Sequence, residues 1–130
     1  MITLKDLMTR LSRHFGAELQ EDQGVFQFRA PTSDGRSQLI GATVKRISDV
    51  ELGVFFSEIG ELNDDVNPWQ LLEKNLELGY SKIAIMNNRL GVIAVCNLKY
   101  TAPEEAVQIL QEVCMVADQL EEELYGHDIA

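Results

Sequence analysis

Cysteine, proline and histidine are scarce in this chain, with two, three and two residues among 130. Cys96 and Cys114 are too few for the disulfide framework of a small secreted domain. They fall in segments with the pattern of a buried strand and a helix face, so free interior thiols are expected. No Cys-x-x-Cys or His-x-x-x-His spacing occurs, and Asp64-Asp65 lacks the alternating acidic positions and distal Glu of a calcium loop. With His14 and His127 as the only imidazoles and no Gly-x-Ser-x-Gly elbow, a Ser-His or Cys-His nucleophile would depend on a helix end or the C-terminus. No glycine-rich loop leads from a strand into a helix carrying a Lys, which removes the common phosphate cradle. These absences predict a non-enzymatic chain with no cofactor and no metal.

Long apolar runs are missing too. None approaches the length needed to cross a bilayer, and the N-terminus carries no basic stretch followed by an apolar one. A cytoplasmic protein without a membrane partner is the expectation. Positive charge is also short: 11 Lys and Arg stand against 21 Asp and Glu, a net charge of -10. Nucleic acid is therefore not an expected partner, because such binding draws on cationic neutralisation of phosphates. Residues 1 to 50 carry +1 and residues 51 to 130 carry -11, so the acidity belongs to the second half.

What is present is the material of one core. Apolar residues make up 45% of the chain, and neither repeat nor linker divides it, so residues 1 to 130 read as a single domain. Thr3 as N-cap and Leu4, Leu7, Met8, Leu11 and Phe15 at helical spacing predict a helix over about 3 to 15. From Gly24 the period becomes two, with Phe26, Phe28 and Ala30 on one side of a strand. The run Pro31-Thr32-Ser33-Asp34-Gly35 supplies a turn. Strands over about 37 to 47 and 51 to 58 complete a meander. Asn67 caps a helix over about 68 to 78, whose apolar stripe is Trp69, Leu72 and Leu76 and which Gly79 stops. Runs at 83 to 86 and 92 to 95 form a hairpin whose continuous apolar character places it near the middle of the sheet or under cover on both faces. Gly41, Gly53 and Gly91 read as bulge or turn positions. Thr101 to Glu104 has the capping-box pattern and opens a helix over about 102 to 125. The order is α-βββ-α-ββ-α, an α+β fold with an antiparallel sheet flanked by helices.

Two features point toward binding. On the last helix, ten apolar residues spread over an arc of about 180°, wider than the stripe of somewhat over about 100° that burial on a sheet requires. Either the helix sits deep in its own core, or part of the stripe meets a second subunit or a peptide. Val113, Val116, Leu120 and Leu124 are the candidates for self-association. Gln111, Glu112, Asp118 and Glu122 fall on its polar half. The sheet carries Phe26, Phe28, Phe55 and Phe56, candidates for peptide contact. Phe55 and Phe56 are adjacent and point to opposite faces, so both faces must find something apolar. Two rivals stand beside this reading. One is a small-molecule sensor with an apolar pocket between sheet and helices. The other is an enzyme using carboxylates of the acidic loop around Asp64 and Asp65, although the cluster Glu58, Glu61, Asp64 and Asp65 reads first as a solvated loop.

The element order, the small acidic chain and the long closing helix resemble the class I type III secretion chaperones and, more closely, their YbjN-type relatives. The likeness is carried by Trp69-Gln70-Leu71-Leu72-Glu73-Lys74-Asn75-Leu76 ending in Gly79, by the hairpin that follows, and by Val116-Ala117-Asp118 in the last helix. Asn75 matches an Asn that the family carries in this helix. The resemblance implies a type III secretion chaperone-like fold and a non-catalytic, homodimeric module that binds a protein or peptide.

Overall fold

The computed structural model describes residues 2–32 and 35–126. Ser33 and Asp34 of the expected turn, and His127, lie outside the described residues. Helix α1 (Leu4–His14) starts where Thr3 accepts a hydrogen bond from the Asp6 N–H, and Leu4, Leu7, Met8 and Leu11 form its buried face. Four strands follow: β1 (Gln20–Asp22), β2 (Val25–Pro31), β3 (Ser37–Ile47) and β4 (Val50–Glu61). Helix α2 (Pro68–Lys74) is capped by Asn67, whose side chain accepts from the Trp69 N–H, and it tightens into a 3₁₀ turn over Asn75–Glu77. Strands β5 (Ser81–Met86) and β6 (Arg89–Asn97) lead to α3 (Pro103–Tyr125). The α3 N-cap is Ala102, with no side-chain cap, so the expected Thr101 box does not form.

All six strands are antiparallel, in the order β1-β2-β3-β4-β6-β5. The protein is therefore α+β, with one six-stranded antiparallel sheet and three helices. Strand β1 escapes sequence reading because Gln20, Glu21 and Asp22 are polar and exposed; backbone pairing to β2 alone makes it a strand. The hairpin divides: β6 lies inside the sheet between β4 and β5, whereas β5 is its outer edge. The single register shift in the β4·β6 ladder falls between Glu58 and Gly60.

The pairing register separates the two faces of the sheet. Directly paired residues share a face, so Phe26, Ala42, Phe55, Ala94 and Ser81 form one row across five strands, all of them buried. Helices α1 and α3 pack on this face and on each other. Helix α2 sits at the β5 edge, tied to α3 by Lys74–Glu123. Among the described residues no helix lies over the opposite face.

Candidate functional site

Most of the side chains picked for contact are core. Phe26, Phe28 and Phe55 are buried under α1 and α3, with Phe28 stacked on Phe15, so none presents a ring to a partner. Val113, Val116 and Leu120 are likewise buried, and Leu124 is half-buried against the same cluster. The broad stripe of α3 is used up within the chain because α1 flanks it while the sheet lies beneath. Phe56 alone faces the helix-free side, where it lies flat across Gly41 of the neighbouring strand. A Cβ at Gly41 would collide with that ring, and one at Gly91 with the end of Met86. Gly41, and Gly53 beneath Leu98 and Cys96, are regularly paired strand positions where side chains cross the backbone, not bulges or turns, whereas Gly91 pairs with Glu58 at the register shift of the β4·β6 ladder.

Two apolar surfaces remain uncovered. The first is on α2, rotated from the expected orientation. Leu71 faces inward and Leu78 packs against the core, while polar bonds fix Lys74 and Asn75 on that same side. Asn75 accepts from the Ile83 N–H at 2.7 Å and donates to the Ile83 carbonyl at 3.3 Å. Trp69, Leu72 and Leu76 consequently point to solvent, 75%, 61% and 90% exposed. Hydrophobicity alone assigned the stripe to the wrong side, because a polar Asn occupies an inward position.

The second surface is the helix-free face of the sheet. Val50, Leu52, Val54 and Phe56 succeed one another along it on β4. Ile93 and Val95 flank them on β6, and Leu39 and Thr43 on β3. Val54 is hemmed in by its cross-strand neighbours, but Leu39 and Val95 are 43% and 49% exposed.

The titratable groups are structural. Asp118 is buried at the base of α3, where Arg36 donates to both its oxygens, at 3.0 and 2.8 Å. The Arg36 hydrogen bonds hold its carboxyl below the usual carboxylate range despite burial. Glu112 accepts from the Ser81 hydroxyl and from the backbone N–H groups of Gly79 and Ser81. Burial would push its carboxyl up, but these hydrogen bonds outweigh that and hold it down. Both carboxylates belong to the polar half read from the sequence, and neither is a solvated surface charge. Cys96 and Cys114 are free and buried, and burial pushes the Cys114 thiol up to about 12. Asp64 and Asp65 are exposed in their loop, and Glu58 and Glu61 pair with Arg89. Among the described residues no three His, Cys, Asp or Glu side chains are placed to hold a metal ion, and no helix is long and apolar enough to cross a membrane.

A polar cleft of about 660 Å³ lies between α1 and the β6–α3 connection and is lined by Asp6, Thr9, Arg10, Arg13 and Lys99 among others. Another, about 510 Å³, lies beside α3 over Arg36 and Asp118. No family model matches the chain, and no curated protein matches it.

Proposed function

We propose that this chain is a non-enzymatic, chaperone-like or regulatory module that binds a protein or peptide segment and forms a homodimer through α2. The observation that carries this reading is the solvent-facing stripe of Trp69, Leu72 and Leu76. Large apolar side chains this exposed, in helical register, are what a partner surface buries, at about 1.5–3 kcal/mol for each aliphatic side chain fully covered. Two copies packed stripe to stripe would cover Trp69 of one chain with Leu76 of the other in an isologous contact. The expected YbjN-type and secretion-chaperone kinship belongs to the same reading, supported by the α-βββ-α-ββ-α core of the element order and by the inward role of Asn75. A cytoplasmic setting fits two reduced interior thiols.

Sedimentation equilibrium at micromolar concentration tests it. A dimer that becomes a monomer in Trp69→Glu/Leu76→Glu, with the thermal midpoint of the monomer unit unchanged, is the expected result. A strict monomer for the parent chain refutes the homodimer.

A further inference from the structure

We propose that the helix-free face of the sheet receives an acidic, amphipathic segment of a partner protein. This deepens the partner-binding reading above, on which it rests. The apolar part is continuous: Val50 to Phe56 spans seven residues of β4, about 20 Å at roughly 3.3 Å per residue, with Ile93 and Val95 alongside. A segment with apolar side chains on one side could lie along this strip and cover it.

The rim defines the charge of that segment. By register, this face carries Arg29, Lys45, Lys82 and Arg89 and, among carboxylates, Asp22, Glu58 and Glu61. Glu58 and Glu61 are both taken up by Arg89, which leaves Arg29, Lys45 and Lys82 against Asp22. Arg29 donates to the Ser37 hydroxyl and Lys82 to backbone carbonyls of Asn75 and Leu78, and among the described residues neither cation has a carboxylate partner. In a chain of net charge -10 this is the electropositive side, while the exposed face of α3 and the loop after β4 hold clustered acid. A partner with apolar residues flanked by Asp and Glu matches both properties. A second copy stacked face to face would oppose two cationic rims. Single-stranded nucleic acid would need several stacking rings, and Phe56 is the one Phe on this face.

The test uses the full chain and three fluorescent probes in anisotropy titrations. Two are synthetic peptides with identical alternating Val and Leu positions, one bearing Glu and the other Lys at the remaining positions. The third is an oligothymidine of similar length. The Glu peptide should bind saturably and the Lys peptide should not. Affinity for the Glu peptide should fall roughly tenfold or more in Arg29→Glu/Lys45→Glu, as rim charges steer and hold the partner. Val95→Asp should weaken it too, with near-ultraviolet dichroism showing each variant folded. Trp69→Glu/Leu76→Glu should leave it unchanged. Equal binding of both peptides, tighter binding of the oligothymidine, absence of binding, or indifference to the face variants overturns the proposal. A dimer that ignores the Glu peptide sinks this inference and leaves the α2 reading standing; a monomer that binds it does the reverse.

Discussion

Asn75→Ala removes the amide that stands in for a missing neighbouring strand at the outer edge of the sheet. Ile83 turns its N–H and C=O away from β6, and both are met by the Asn75 side chain. Each such bond contributes about 0.5–1.5 kcal/mol net, more where the abandoned backbone group is shielded from water. Ile83 is buried, so the loss should total about 1–3 kcal/mol. For a chain of this size that lowers the thermal midpoint by roughly 3–12 °C. Urea and thermal melts give the free energy, and hydrogen exchange at the Ile83 amide locates it. Asn75→Asp keeps the acceptor for the Ile83 N–H but places a carboxylate before the Ile83 carbonyl, so it should fall between parent and Ala. An Ala variant within about 0.5 kcal/mol of the parent, with the Ile83 amide still protected, would show that water replaces the side chain without loss and would refute the edge-cap argument.

Two more predictions concern groups inside the fold. Asp118 and Glu112 titrate lower in the folded chain than in the unfolded one, so between those two values the unfolded state holds more protons. Their contribution is present above the ordinary carboxylate range near pH 4 and disappears as pH falls through the folded values; Asp118→Asn should flatten the acid limb of a stability-against-pH curve, and an unchanged limb would refute it. Gly41→Ala should cost about 1–3 kcal/mol through displacement of the Phe56 ring, and Phe56→Leu in the same chain should recover part of that in a urea-melt double-mutant cycle; additive losses would show the ring and the glycine do not interact.

Periodicity exposed most of the fold. The 3.6 spacing of Leu4, Leu7 and Leu11 and the alternation of Phe26, Phe28 and Ala30 mark elements whose burial follows the same spacing. Where tertiary contacts set the outcome, the pattern fell silent or misled. Strand β1 has no apolar residue to betray it. Helix α2 is turned by Asn75 and Lys74, whose partners Ile83 and Glu123 lie outside the helix, on the next strand and on α3, so its exposed stripe looked like its core stripe. The pair Arg36 and Asp118, 82 positions apart, left no local trace. The adjacency of Phe55 and Phe56 did carry information: the requirement that both faces be apolar is met by helices on one side and by Gly41 beneath the ring on the other.

The strand order has a consequence for synthesis. The neighbour of β4 across the sheet from β3 is β6, so a nascent chain made as far as Glu61 ends in a twelve-residue strand with a bare margin. That margin closes only after Asn97 has emerged, when the later hairpin docks with its second strand first. Between those two points the longest strand of the sheet is a template for whatever else can pair with it, and a chain released early would carry that template permanently.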